Sequence, residues 1–81
     1  MEKIEIGFQT FLPGKPEEFG AVRAISHDGR ELVVYVENAG DFKVSIDAVK
    51  SVQSEKVTLD AKKLDRALLA AIGHAHEAEQ F

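Results

Sequence analysis

The chain has 81 residues, of which 44% are hydrophobic and 30% charged, with a net charge of −4 and no cysteine. That balance is ordinary for a folded globular domain, and the length supports one domain rather than two. It excludes disulfides and thiolate metal sites, and scattered, outnumbered basic residues make nucleic acid an unlikely partner.

A chain of this size buries only about 60–65% of its unfolded surface, so its core is thin. Plain packing, a histidine–carboxylate metal site or self-association must make up the difference. No run reaches the ~18 apolar residues of a membrane span. The opening Met1-Glu2-Lys3-Ile4-Glu5 alternates charged and apolar residues, unlike a signal peptide. The expectation is a cytoplasmic protein.

Along the chain, residues 3–12 begin in period two, with Ile4, Ile6 and Phe8 on one face of a half-buried strand. Leu12-Pro13-Gly14-Lys15-Pro16 ends it in a turn, because proline cannot donate to a ladder. Residues 19–26 read as a second strand, with Phe19, Ala21, Arg23 and Ile25 sharing one face and Gly20 marking a bulge or close approach. His27-Asp28-Gly29-Arg30 follows, and Asp-Gly between two β patterns signals a hairpin closed by a type I′ turn.

Residues 31–37 form the strongest strand pattern, with Leu32, Val34 and Val36 directed at the core. Asn38 and Gly40 supply left-handed turn positions before a strand over 42–46, in which Phe42, Val44 and Ile46 point inward. Asp47-Ala48-Val49-Lys50 suggests one turn of 3₁₀ helix. A last strand spans 51–59, with the polar run Gln53-Ser54-Glu55-Lys56 as a bulge or a loop splitting it.

From Asp60, a candidate N-cap, the period changes. Leu64, Leu68, Ile72 and Ala75 make the stripe of an amphipathic helix over 61–81, widened by Ala61, Ala71 and Ala78. Gly73 is a place for it to end or bend. The expected architecture is mainly β, with a small five- to six-stranded SH3-like barrel over 1–59 and a helix over 60–81 that packs on it or projects from it.

The runs Ile6-Gly7-Phe8, Gly14-Lys15 and Phe19-Gly20-Ala21-Val22, followed by Phe42 through Val52 with Val49 and Val52 as a spaced valine pair, and by Val57-Thr58-Leu59, resemble a PRC-barrel domain over about residues 4–59. The chain lacks the proline often found in that family near Ser45, and its helix is additional. The resemblance implies a docking module and brings no catalytic residues.

No cofactor-binding motif is present, since Gly14-Lys15 runs into Pro16 rather than opening a helix as a phosphate loop does. Ser26-His27-Asp28 has the residue types of a catalytic triad, but neighbours on a strand point apart, so a solvated hairpin end is the better reading. Glu17-Glu18 reads as a solvated pair. His74 and His76, each three residues before a carboxylate (Glu77 and Glu79), are the candidate metal ligands. On one helix the two histidines lie about 200° apart and cannot share an ion; a tail extended beyond Gly73 would align them by period two, but a solvated terminus is the better reading.

The functional expectation is a non-catalytic protein–protein interaction or assembly module. It would associate with itself, as a dimer, or with a protein partner through Leu68, Ala71, Ile72, Ala75 and Ala78, where small residues let a second helix approach. A metal-binding sensor using the terminal His/Glu residues is the alternative, and an RNA-binding barrel is a third.

Overall fold

The alternating segments become strands where their apolar residues can share one face. The computed structural model describes residues 3–74, with side chains through Gly73. Six strands occur in it: β1 (Gln9–Phe11), β2 (Gly20–Ile25), β3 (Glu31–Val36), β4 (Gly40–Ser45), β5 (Val49–Gln53) and β6 (Lys56–Leu59). They form one sheet in the order β4-β3-β2-β1-β6-β5, curled into a half-barrel whose end strands β4 and β5 do not pair. A single α-helix, α1 (Arg66–His74), follows. This matches the expected small β-barrel with a C-terminal helix.

Leu32, Val34, Val36, Val22, Val57 and Leu59 are fully buried and form the centre of the core, with Phe19, Val44, Val52 and Leu64 around them. Most pairs in the sheet are antiparallel, but β1 runs parallel to β6, with Thr10 opposite Val57. Nothing in the local pattern announces that pairing, because the two partners lie more than half the chain apart.

The first strand is shorter than its alternation predicts. Gly7 has φ +100° and the Phe8 amide donates to the Glu5 carbonyl at 3.2 Å, so a turn interrupts the pattern at Ile6. Ile6 is consequently 67% exposed instead of facing the core.

The faces expected for β2 are also corrected. Val22 lies opposite Val34 and Ala24 opposite Val33, which leaves Arg23 as the extra residue of a bulge. Before the bulge Gly20 and Val22 face inward; after it Ile25 does, opposite Leu32. Gly20 has no room for a side chain, since a Cβ there would overlap the Tyr35 carbonyl.

The polar run inside the expected last strand is a hairpin loop. Ser54 (φ 52°) and Glu55 (φ 66°) are both left-handed between the paired residues Gln53 and Lys56, the signature of a type I′ turn. At Asp28-Gly29 only Gly29 is left-handed (φ 74°). There a four-residue loop, His27 to Arg30, is closed by the Ser26 amide donating to the Glu31 carbonyl at 2.8 Å.

The C-terminal segment divides in two. Asp60 caps a single 3₁₀ turn (Ala61–Lys63) by accepting from the Lys62 amide. Leu64 is extended, and Asp65 then starts the α-helix by accepting from the Leu68 amide at 2.8 Å. The helix therefore begins at Arg66, not at residue 61, and continues through Gly73. Leu64, just before the helix, and Leu68 within it enter the core, and Ala71 and Ile72 lie against it.

Candidate interaction surface

Two segments that sequence reading treated separately build an apolar depression. After β1 the chain turns at Leu12–Lys15, where the Lys15 amide donates to the Leu12 carbonyl at 3.1 Å and Gly14 takes φ +76°. Pro16 prevents a return to the ladder. The loop arches over the sheet and comes back at Phe19, whose amide donates to the Thr10 carbonyl at 2.9 Å. Opposite this arch runs α1. Between them is a groove of about 420 Å³ lined by Leu12, Pro16, Phe19, Leu69, Ile72 and Gly73, with Lys15 and Glu17 also contributing.

The groove is mostly apolar because Leu69, beside the buried stripe, and Ile72, at the half-buried end of the stripe, lie three residues apart on α1 and line it together. Leu69 is 36% exposed, unlike Leu68 at 1%. Leu68, expected at an interface with a partner, instead packs in the chain's own core. Ala71 and Ile72 are half-buried against that core, while Ala75 and Ala78 lie outside the described residues. From the sequence the segment at Leu12 reads as a turn, not as part of a site, and Leu69 is not singled out; the readable signal is a leucine beside the stripe, one turn before Ile72.

The outer face of the sheet carries a second group. The Arg23 Nε lies 3.0 Å from the Asp41 carboxylate, and its guanidinium sits 4.7 Å from the centroid of the Tyr35 ring. The bulge puts Arg23 there, and the direct opposition of Tyr35 and Asp41 in the β3–β4 ladder supplies the rest. The ion pair is exposed and contributes little to stability; its arginine also covers an aromatic ring that would otherwise face water.

The triad-like residues brace a loop. The Ser26 hydroxyl donates to the Asp28 carboxylate at 2.7 Å and accepts from the Glu31 amide at 3.0 Å. Asp28 also accepts from the Arg30 amide. The hydrogen bonds from Ser26 and Arg30 hold the Asp28 carboxyl below its ordinary pKa. His27 and Asp28 are exposed, as are Glu17 and Glu18.

Of the candidate metal ligands, His74 is the last helical residue described, and His76, Glu77 and Glu79 lie outside the described residues. Among the described residues no three His, Asp or Glu side chains are grouped to hold an ion, and no helix is long and apolar enough to cross a membrane. In β1, Thr10 is fully buried and its Oγ1 has no hydrogen-bond partner among the described residues.

Comparison with protein-family models, with curated proteins and with solved structures found no match to this chain.

Proposed function

We propose that this chain is a non-catalytic protein-interaction module, and that its docking site is the groove between α1 and the Leu12–Phe19 loop. The observation that carries the reading is the partly exposed Leu69 beside Ile72, facing Leu12, Pro16 and Phe19 across about 420 Å³. A depression of that size takes one or two large apolar side chains. Lys15 and Glu17 in the loop wall bring opposite charges close to that apolar floor. The occupant they fit is an amphipathic segment of another protein, with apolar anchors and flanking charges of both signs. The resemblance of residues 4–59 to PRC-barrel domains supports the same reading, since it implies docking rather than chemistry. A cytoplasmic setting belongs to the proposal; a chain without cysteine requires no oxidising compartment to fold.

The test is selection from a peptide library displayed on phage, followed by NMR titration of the winning peptides. Enriched peptides carrying large apolar anchors, with shifts at Leu12, Phe19, Leu69 and Ile72 and loss of binding to L69E, are the expected result. No enrichment, or shifts confined to the Tyr35 face, overturns the assignment.

A further inference from the structure

We propose that β4 is a self-pairing edge, through which two copies of the chain join into one continuous antiparallel sheet. The inference is independent of the groove, which lies elsewhere on the molecule.

The hydrogen bonds of the ladder show which groups β4 leaves open. The Ile46 amide donates to the Arg30 carbonyl at 2.8 Å, and Ser45 lies opposite Glu31. In an antiparallel ladder bonded and non-bonded pairs alternate. Val44–Leu32 and Phe42–Val34 are therefore bonded pairs, and the amides and carbonyls of Asp41, Lys43 and Ser45 point away from β3. On the described chain β4 has no neighbour on that side. Its six pairs with β3 run without a register shift, whereas β5, the other end strand, is broken by an irregularity between Val49 and Ser51. An unbroken, unpaired edge of this kind is a template for another strand.

Charge then selects both the occupant and the register. Asp41 and Lys43 are two residues apart, so they share the outer face and both lie on the open edge. A two-fold axis at Asp41 would oppose two aspartates, and one at Lys43 two lysines. An axis at Val44 would set Asp41 against the partner's Asp47. Axes between residues would match outward groups with inward ones. An axis at Phe42 opposes Asp41 to the partner's Lys43, and Lys43 to the partner's Asp41, both as bonded pairs. It also brings the two half-buried Phe42 side chains together at the close, non-bonded spacing of about 4.5 Å between Cα atoms. A lone lysine on an edge strand discourages pairing; an aspartate spaced two residues from it makes the edge complementary to itself. Asp41 keeps Arg23 on its other side.

The experiment is size exclusion with light scattering over a range of concentrations. It uses the full chain and three variants, with circular dichroism checking that each is folded. The native chain is expected to dimerise. K43D and D41K each create like-charge pairs and should weaken dimerisation by about tenfold or more, while an equal mixture of the two restores it as a heterodimer. K43P removes an amide that points away from β3, so the β3–β4 ladder survives and the dimer does not. A native chain that is monomeric at every concentration overturns the proposal. So does a dimer indifferent to K43P, or a pair of charge variants that fail to rescue each other.

Discussion

The sheet has two arms that are held in different ways. On one side β2, β3 and β4 form a meander of consecutive hairpins, each register following from the turn before it. On the other, β5 and β6 make an isolated hairpin. In the strand pairing of the described residues the arms are joined through β1, three residues that pair antiparallel with β2 and parallel with β6. Their turns differ as well. The first turn of the meander, at Asp28-Gly29, has one left-handed glycine, and its second uses Asn38 and Gly40; the β5–β6 hairpin closes on Ser54-Glu55, two left-handed residues that are neither asparagine nor glycine. The strongest turn signal in the sequence thus marks where a turn falls without fixing its type. The tightest turn is imposed on residues that do not favour it, by ladders on both flanks and by the Gln9 amide, which donates to the Glu55 carbonyl at 3.3 Å.

The contrast can be broken most severely where the arms join. G20A drives a Cβ into the Tyr35 carbonyl, so β2 must pull away from β3 beside its contact with β1. A loss of about 3 kcal/mol or more, measured by urea unfolding, is expected from forced overpacking against backbone. The joint can also be strengthened. T10V replaces a buried hydroxyl that lacks a partner among the described residues with a methyl of the same shape, and should raise stability by about 1–3 kcal/mol.

The two turns should respond with opposite signs. G29A places a side chain at φ +74° and is expected to cost about 1 kcal/mol. S54N with E55G installs residues suited to a type I′ turn and should add about 1 kcal/mol, the relief of left-handed strain less the entropy of a new glycine. Paired denaturation curves test both; the same sign for the two would dissolve the distinction between the arms.

The smallest effect concerns pH. The Asp28 carboxyl has a lowered pKa in the folded state, so its contribution is present above its unfolded pKa and is lost as pH falls through the folded value. The stability difference between the native chain and D28A should therefore shrink on acidification below the ordinary carboxylate range. A difference independent of pH would remove the Ser26–Asp28 brace as its source.

Much of this architecture was legible in the chain. The alternation of Leu32, Val34 and Val36 placed β3 with its core face, and Asn38 and Gly40 placed the next turn in its left-handed geometry. What escaped was non-local. The bulge at Arg23 keeps two inward stretches in one strand, and only the partner register reveals it. The exposure of Ile6 depends on a turn at Gly7 that docks back on β2, where the Gly7 amide donates to the Val22 carbonyl at 2.8 Å. The helix stripe was read correctly at Leu68 and Ile72, but Leu64 is extended and the helix starts later than expected, because two aspartates, Asp60 and Asp65, each cap a different turn. The groove was invisible for the same reason: Leu12 and Leu69 become neighbours only when the arch and the helix are both in place.

The parallel pairing of β1 with β6 also sets an order in time. The meander can assemble from contacts between neighbouring hairpins, and β5–β6 from a turn of two residues. Thr10 and Val57 meet by closing more than half the chain, the longest loop closure among the strand pairs of the sheet. During synthesis the N-terminal strand must therefore wait, half-paired, for the last strand to emerge. A pairing of such long range is the kind of contact that slows the folding of a small domain.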